Sequence, residues 1–470
     1  MRTTVSLLLT SALVTAAQST TSTLFKDLDD IIERDVAIVG GGSAGTYCAI
    51  SLQDQGKSVI VIEKEPRLGG HVETYVDPAT GIAMDYGVAL FDNTPAVNDY
   101  FARFHIPLVK ISAFNISWFS YDFRTGKAVA PSYNPSREEV LAAFATYFTQ
   151  HARYPGLERG IFLPSPVPED LYMPFWRFVE KYKIQAAVPT MSFRALPRHM
   201  VVGVLTSNVL TPANHTVIEL YRRAEAELSS TSSLFLSSEV LYAYREPTNT
   251  TEKNRITLLV HTHTPTETKL SLIHAKKLLI AIPPKPSLLD PWLRLTPDEL
   301  SVFTRYINTG MYVGIVNGTR FPPTAGILNL APNHTMYSFP YLPDMYNLIP
   351  ARVPGLMLAT YGTLQTPDPY PMSEAAVRQH MLEDIRRIQR ENPDRYPGTE
   401  EPAFVAFAGH APYILQVSGE DIKNGFYERL YALQGQMNTF WIGAAWAGDI
   451  SGEIWKVARG VVLPMLVGEL

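Results

Sequence analysis

A chain of 470 residues, of which 46% are hydrophobic and 18% charged, has the length and composition of a globular protein with two or three domains. Its net charge of −5 at pH 7 argues against a nucleic-acid-binding protein, which would carry an excess of Lys and Arg. The single cysteine excludes a disulfide framework, a CxxC redox pair, an iron–sulfur cluster and a cysteine-rich zinc site.

The first 20 residues have the features of a secretory signal peptide. Arg2 supplies a positive start, residues 5–17 are apolar or small, and residues 14–17 offer small side chains for cleavage. A buried or frayed N-terminal helix is the alternative. We therefore expect a secreted protein. Candidate N-glycan acceptors lie in five N-x-S/T sequences, at Asn115, Asn214, Asn249, Asn317 and Asn333.

The segment after the leader predicts a βαβ unit. Residues 35–39 (DVAIV) and 58–62 (SVIVI) are short apolar runs rich in β-branched residues, typical of buried parallel strands. Residues 43–55 between them have helical periodicity, and glycines precede that helix. This order predicts an α/β fold that begins with a parallel, Rossmann-type sheet.

The glycine cluster at 40–45 fits the pattern G-x-G-x-x-G. Gly40 permits the tight turn from strand to helix, Gly42 lets a pyrophosphate approach the backbone, and Gly45 lets the helix pack closely on the strand. The N-terminus of the helix would then present free N–H groups and a positive dipole to the phosphates. Glu63 follows Gly45 by 18 residues and suits a ribose hydroxyl. The pattern predicts a dinucleotide site and disfavours NADP; a purely structural turn is the alternative.

Further motifs carry a family resemblance. Residues 67–71 (RLGGH) and 85–87 (DYG) follow the second strand, and residues 439–443 (TFWIG) precede a final helix that begins at 451–453 (SGE). Together with the glycine motif, they resemble the flavin-containing amine oxidoreductase superfamily, which includes monoamine oxidases and phytoene-desaturase-like enzymes. The resemblance implies FAD as the cofactor; NAD as the only dinucleotide is the alternative.

A second block resembles one branch of that superfamily. Residues 424–427 (NGFY), 433–435 (LQG) and 438–439 (NT) are similar to fungal FAD enzymes such as β-cyclopiazonate dehydrogenase. The superfamily resemblance also places the backbone of Val240 against the adenine. The complete set of implied cofactor-binding residues is Gly40, Gly42, Ser43, Ala44, Gly45, Glu63, Lys64, Arg67, Gly69, Gly70, His71, Val240, Gly443 and Ile454.

The resemblance also implies two domains that share the chain. A discontinuous FAD-binding domain would use residues 34–110, 225–290 and 425–470. An α+β substrate domain would use residues 111–224 and 291–424. No later segment predicts a membrane span, because the apolar run at 457–468 is too short and contains Arg459 and Pro464.

The residues that would perform catalysis are less clear from the sequence. His410, Tyr413 and Glu453 are weak candidates near the substrate face; structural hydrogen bonds, or for Glu453 a helix cap, are the alternatives. His71 would be a flavin contact, a covalent flavin attachment or an ordinary loop histidine. Val313 stands where many amine oxidases carry a lysine. His261 and His263 alternate on a strand, and we interpret them as a solvated face, so no metal site is predicted.

These observations predict an FAD-dependent oxidoreductase. It would remove a hydride from a C–H bond next to nitrogen, or from another activated carbon, of a small molecule such as a fungal secondary metabolite. O2 would be the electron acceptor, because a secreted enzyme has no ready NAD pool. The alternatives are a flavin-dependent desaturase or isomerase of a lipophilic substrate, and a non-catalytic FAD-binding protein.

Overall fold

The computed structural model describes residues 30–111, 116–193, 209–245, 256–265 and 268–470. The expected signal peptide at 1–20 and the sequons at Asn115 and Asn249 lie outside the described residues.

The strands are numbered here along the described chain, and each is given with its bounds. They are β1 Asp30–Val39, β2 Val59–Ile62, β3 Thr74–Val76, β4 Ala83–Asp85, β5 Phe91–Asp92, β6 Leu108–Lys110, β7 Ser117–Asp122, β8 Lys127–Ala128, β9 Val209–Pro212, β10 Leu234–Phe235, β11 Ser238–Arg245, β12 Ile256–His263, β13 Thr268–Ile280, β14 Ile307–Asn317, β15 Ala325–Asn329, β16 Asp344–Pro350, β17 Met357–Gly362, β18 Ala403–Gln416 and β19 Thr439–Trp441.

The α-helices are numbered in the same way. They are α1 Ser43–Asp54, α2 Pro95–Arg103, α3 Arg137–His151, α4 Phe175–Tyr182, α5 Val188–Phe193, α6 Ile218–Ser230, α7 Pro286–Leu293, α8 Pro297–Phe303, α9 Glu374–Glu391, α10 Gly419–Lys423, α11 Phe426–Tyr431, α12 Ala444–Ala447, α13 Ser451–Val457 and α14 Leu463–Gly468. A π-helical segment, Ala458–Val462, joins the last two.

The first large sheet confirms the predicted Rossmann-type arrangement. Its strand order is β10-β2-β1-β13-β12-β11, and β19 pairs with the end of β13. The strands β10, β2, β1, β13 and β19 are parallel, whereas β12 and β11 are antiparallel additions. All four residues of β2 are buried, as expected for a strand covered on both faces.

One strand of this sheet is longer than the sequence pattern indicated. The pattern predicted a strand over 276–282, but β13 begins at Thr268 and ends at Ile280. In its first half, polar and apolar residues alternate, and this half pairs with β12. Its apolar end, Leu278–Ile280, pairs with β19. The apolar run therefore marked only the part of the strand that lies in the core.

The second large sheet is mostly antiparallel and has the order β18-β14-β17-β16-β15-β7-β8. The helix α9 packs on it, with Met381 and Ile385 against Tyr312 and Tyr361. The side chain of Ser373 accepts a hydrogen bond from the N–H of Ala376 and so caps this helix, which the sequence placed at 373–389. The domain boundaries themselves stay a prediction.

The strands of the two large sheets come from alternating stretches of the chain. Residues 30–62, 234–280 and 439–441 supply the strands of the first sheet, and residues 117–128 and 307–416 supply those of the second. Within the described residues, no helix combines the length and the apolar composition needed to cross a membrane.

Candidate functional site

The turn between β1 and α1 requires glycine at two positions. Gly40 has a φ of +104°, and a Cβ there would lie 2.7 Å from Cγ2 of Ile282. A Cβ on Gly45 would lie 1.9 Å from the carbonyl oxygen of Gly40, so any side chain would push the helix off the strand. These two contacts are the close approaches that the glycine motif predicts.

A second glycine loop faces this turn. The N–H of Gly69 donates to the carbonyl of Gly41 at 2.9 Å, which ties the two loops together. A Cβ on Gly42 would meet only the Cα of Gly70, at 3.7 Å. The loops thus approach each other backbone to backbone at Gly42 and Gly70, and no side chain fills the space between them. This cradle of glycines beside the N-terminus of α1 fits a pyrophosphate.

The last helix begins beside the first. Ser43 opens α1 and Ser451 opens α13, and their hydroxyl oxygens are 2.9 Å apart in a hydrogen bond. The indole N–H of Trp455 donates to the carbonyl of Ser43 at 3.1 Å. Two segments more than 400 residues apart in the chain are therefore held together at the cradle.

Glu63 is held at the end of β2, as the motif predicts. Its carboxylate is buried and accepts hydrogen bonds from the N–H of Gly41 at 2.6 Å and of Glu65 at 2.8 Å. The carbonyl of Glu63 accepts from the N–H of Ser238, which brings the start of β11, and with it Val240, to the same end of the sheet. The acid therefore lies next to the cradle.

Other predicted cofactor residues have partners within the protein. Arg67 forms an ion pair with Glu73 at 2.6 Å, and the exposed Lys64 lies 3.7 Å from Glu65. The N–H of Ile454 donates to the carbonyl of Ile450, and its side chain packs in the core. Gly443 has a φ of +130° and follows β19. The contacts of these residues with FAD stay predictions.

The remaining members of the predicted set lie in the same loops. Ala44 is buried in the first turn of α1, Gly69 has a φ of +123°, and His71 follows Gly70 directly.

His71 and His410 form a close pair. Their ring centroids are 4.5 Å apart and tilted by 40°, and the ring of Tyr413 lies 6.4 Å from that of His71. His410 lies on β18 of the second sheet, whereas His71 continues the second glycine loop of the first. The pair therefore marks the place where the glycine cradle meets the second sheet.

Both histidines are neutral at pH 7. Enclosure by protein lowers the pKa of His71 to about 4, and the Lys64 charge adds to this effect. Burial, the neighbouring His71 and the Arg67 charge hold the pKa of His410 well below its usual range. The side chain of His71 is nevertheless exposed to solvent. Nε2 of His410 has no hydrogen-bond partner among the described residues.

Tyr413 lies close to this histidine pair, and Asp449 lies close to Tyr413. Burial raises the pKa of Asp449 to about 6, against a hydrogen bond from the backbone of Ile414. Burial and the Asp449 carboxylate raise the pKa of Tyr413. The side chains of Tyr413 and Asp449 are partly exposed to solvent although protein surrounds them, and the same holds for the more exposed His71. Neither side chain is therefore part of a fully packed core.

Glu453 has a different environment. Its carboxylate is buried in the first turn of α13 and forms an ion pair with Lys456 at 2.5 Å. Both residues of this ion pair belong to one helix. A favourable interaction of the Glu453 carboxylate with the positive N-terminal end of that helix therefore explains the position of Glu453 without a bound substrate. Its candidacy as a catalytic residue stays a prediction, and the geometry favours His410 and Tyr413.

Comparison with known proteins gives the family. Residues 38–104 match the model of an NAD(P)-binding Rossmann-like domain. The chain is 43% identical to the FAD-dependent oxidoreductase oblC of Cochliobolus heterostrophus over 94% of this chain and 92% of that protein. It is 31% identical to β-cyclopiazonate dehydrogenase of Aspergillus oryzae over 91% and 92%.

The chain belongs to the fungal FAD-dependent oxidoreductases. The predicted cofactor and enzyme class are thereby confirmed, and the alternative of a non-catalytic FAD-binding protein is set aside. The glycine cradle, the helix start and Glu63 fit this cofactor, because they would present N–H groups to its phosphates and a carboxylate to its ribose.

Solved structures share the fold of this oxidoreductase. A fatty acid isomerase from P. acnes aligns with a TM-score of 0.67 at 18% identity, over 92% of this chain and 98% of that one. A putrescine oxidase bound to putrescine aligns with a TM-score of 0.56 at 14% identity, over 93% and 98%. The expected amine-oxidase-like fold is confirmed.

Sequence reasoning missed how the site residues combine. Nothing in the spacing of His71 and His410, or of Ser43 and Ser451, indicates that they touch, because each pair is brought together by the packing of separate sheets or helices. The partner of Arg67 was also missed, although Glu73 lies only six residues further along the chain. An arginine just before a Gly-Gly pair should therefore be checked for an acidic residue close to it in the sequence.

Proposed function

We propose that this oxidoreductase removes a hydride from an activated carbon of a fungal secondary metabolite, next to nitrogen or oxygen, while His410 accepts a proton from the adjacent N–H or O–H. The observation that carries the proposal is the buried Nε2 of His410, which has no hydrogen-bond partner within the described part of the chain and lies in a neutral imidazole. A neutral imidazole is the usual protein group for accepting a proton. Bound FAD supplies the hydride acceptor.

The electron and proton balance is simple. In the FAD-bound enzyme the hydride would leave the C–H bond with its electron pair, Nε2 of His410 would accept the N–H or O–H proton, and a C=N or C=O bond would form. The ring centroids of His71 and His410 lie 4.5 Å apart, and His71 is neutral. His71 therefore packs against the proton acceptor without placing a full positive charge beside it.

The charges near this face disfavour a doubly charged substrate. Arg67 is paired with Glu73, and Glu453 is paired with Lys456. The two histidines are neutral, which leaves Asp449, with a pKa raised to about 6, as the ionisable acid beside Tyr413. A neutral nitrogen heterocycle, such as an indole alkaloid, fits this environment better than a diamine dication.

The test is flavin reduction without oxygen. The purified flavoprotein is mixed under argon with neutral indole alkaloids, amines and amino acids, and the visible flavin absorbance is followed. We expect a neutral heterocycle to bleach the flavin, and air to restore the colour with formation of hydrogen peroxide. If none of the three classes bleaches the flavin, hydride removal next to nitrogen is wrong.

We also propose that the enzyme is secreted and uses O2 as its acceptor. The apolar N-terminal segment supports secretion, and the sequon residues Asn214, Asn317 and Asn333 are all exposed, as glycosylation requires. Expression in a secreting fungal host tests the secretion and the glycosylation, and the restoration of flavin colour by air tests O2. We expect glycosidase-sensitive protein in the medium whose N-terminus lies near residue 18; protein retained in the cell with residue 1 intact would overturn secretion.

A second candidate is a desaturase or isomerase of a lipophilic substrate. It is favoured by Val313, which is buried with Met84 and Tyr86 in an apolar cluster where many amine oxidases carry a lysine. An isomerase would convert a polyunsaturated or polyene substrate without net consumption of O2, whereas a desaturase would leave the flavin reduced under argon. A product formed under argon by oxidised enzyme, with no lasting bleaching, would favour the isomerase.

A further inference from the structure

A group of metal-ligand side chains lies in the second sheet, away from the cofactor residues. Asp344 begins β16, and His380 and Asp384 lie one helical turn apart on α9, which packs on that sheet. One ligand atom from each of the three side chains can be chosen so that all lie within 4.8 Å of one another. The two elements thus present two carboxylates and an imidazole to a common point.

The carboxylates of this group are buried with too little positive charge. Asp344 is 3% exposed and Asp384 is 1% exposed. Arg387 donates to Oδ1 of Asp384 at 2.7 Å, and the N–H of Met345 donates to Asp344. Oδ2 of Asp384 accepts no hydrogen bond from the described residues, although it faces the group. The single guanidinium balances the charge of only one of the two buried carboxylates, so the group needs a further proton or cation.

His380 is oriented as metal-binding histidines are. Its Nδ1 lies 2.8 Å from the hydroxyl of Tyr361, and its Nε2 points toward Oδ2 of Asp384 at 3.8 Å. A hydrogen bond at one ring nitrogen fixes the ring and leaves the other nitrogen for a ligand. The imidazole is 39% exposed, so an ion can reach the group from solvent.

We propose that Asp344, His380 and Asp384 bind one divalent transition-metal cation, such as Zn²⁺ or Mn²⁺, which ties α9 to β16. One imidazole nitrogen and two carboxylate oxygens are ligands that these ions accept, whereas Ca²⁺ and Mg²⁺ favour oxygen alone. The cation supplies the charge that the buried carboxylates lack. This site departs from the sequence-based expectation of no metal, and it does not depend on the proposed reaction.

The test measures metal content and stability on the intact flavoprotein. The protein is stripped with a chelator, desalted, given ZnCl₂ or MnCl₂, desalted again and analysed by mass spectrometry for metal per chain. We expect about one equivalent of Zn²⁺ or Mn²⁺ and an increase of several degrees in the melting temperature. No retained metal and no thermal shift with either ion would overturn the proposal and indicate that the carboxyl groups share a proton instead.

Two variants identify the ligands. His380→Ala changes a partly exposed side chain, so it should fold and keep its flavin while losing the bound metal and the thermal shift. His263→Ala is the matched control, because His261 and His263 also lie close together, with ring centroids 6.1 Å apart. It should retain the metal. Loss of metal in His263→Ala, with retention in His380→Ala, would overturn the assignment to α9.

Discussion

The two sides of the cofactor region are built in different ways. On the nucleotide side, glycines hold backbone against backbone, and the contacts that matter are steric, such as the 1.9 Å that would separate a Cβ on Gly45 from the carbonyl of Gly40. On the substrate side, His71, His410 and Tyr413 meet through side chains from two sheets, and their state depends on burial. The first side is thus built from backbone contacts, whereas the second depends on how the two sheets pack against each other.

The largest effect is expected from filling the cradle. Gly42 has an extended φ of −74°, and a side chain there meets only Gly70, so Gly42→Val should fold normally but exclude the pyrophosphate. We expect loss of essentially all bound FAD, measured as the ratio of flavin to protein absorbance. Gly460→Val is the control, because a Cβ there meets no atom within 4 Å. Equal flavin content in the two variants would show that Gly42 does not face the cofactor.

The second-largest effect is expected on the substrate side. His410→Gln keeps a polar side chain of similar size but cannot accept a proton at neutral pH. We expect a decrease in kcat of about 100-fold, which is typical of the loss of a general base. Flavin content and the melting temperature should change little. His263→Gln, at the exposed end of β12, should retain full activity.

The KM and the pH profile separate catalysis from positioning in this variant. If His410 only packs against substrate, His410→Gln would raise KM and leave kcat and its pH dependence as in the wild type. That outcome would remove the proposed proton transfer while leaving the FAD-dependent activity in place.

A smaller effect concerns stability near the cradle. Burial raises the pKa of Asp85 to about 7, although Thr74 and the N–H of Val217 donate to it. Its pKa in the unfolded chain is about 3.9. The folded state therefore holds an extra proton between these values, so the free energy of unfolding falls as the pH rises from about 4 to 7.

Asp85→Asn should flatten that pH dependence. Urea unfolding at pH 5 and pH 7.5 would show a smaller difference in midpoint than the wild type. Asp394→Asn, at an exposed position, is the control and should match the wild type at both pH values. An unchanged difference in Asp85→Asn would show that this carboxyl is ionised throughout.

The smallest effect is expected where the two helix starts meet. Ser43→Ala removes the hydrogen bond to Ser451 but leaves the backbone N–H groups of α1 in place. We expect FAD to bind about 2- to 10-fold more weakly, which corresponds to one ordinary hydrogen bond. Equilibrium titration of the flavin-free protein measures the change. A loss as complete as that of Gly42→Val would mean that the hydroxyl itself binds the phosphates.

Much of the first sheet and its cradle could be predicted from the sequence. The apolar runs at β1 and β2, the glycines at 40–45 and Glu63 lie close together in the chain, so local backbone requirements determine their arrangement. The extent of β13 was underestimated, because its polar first half is a strand only through its pairing with β12.

The sequence by itself determined the cofactor class, since a dinucleotide turn is a local steric problem that only particular residues solve. The tertiary structure alone decided that His71 meets His410 and that Asp344 meets His380 and Asp384. It also decided the charge of the histidine pair, because desolvation depends on what surrounds a side chain and not on its neighbours in the chain. The candidate catalytic residues of this oxidoreductase are thus brought together by contacts that no spacing in the sequence encodes.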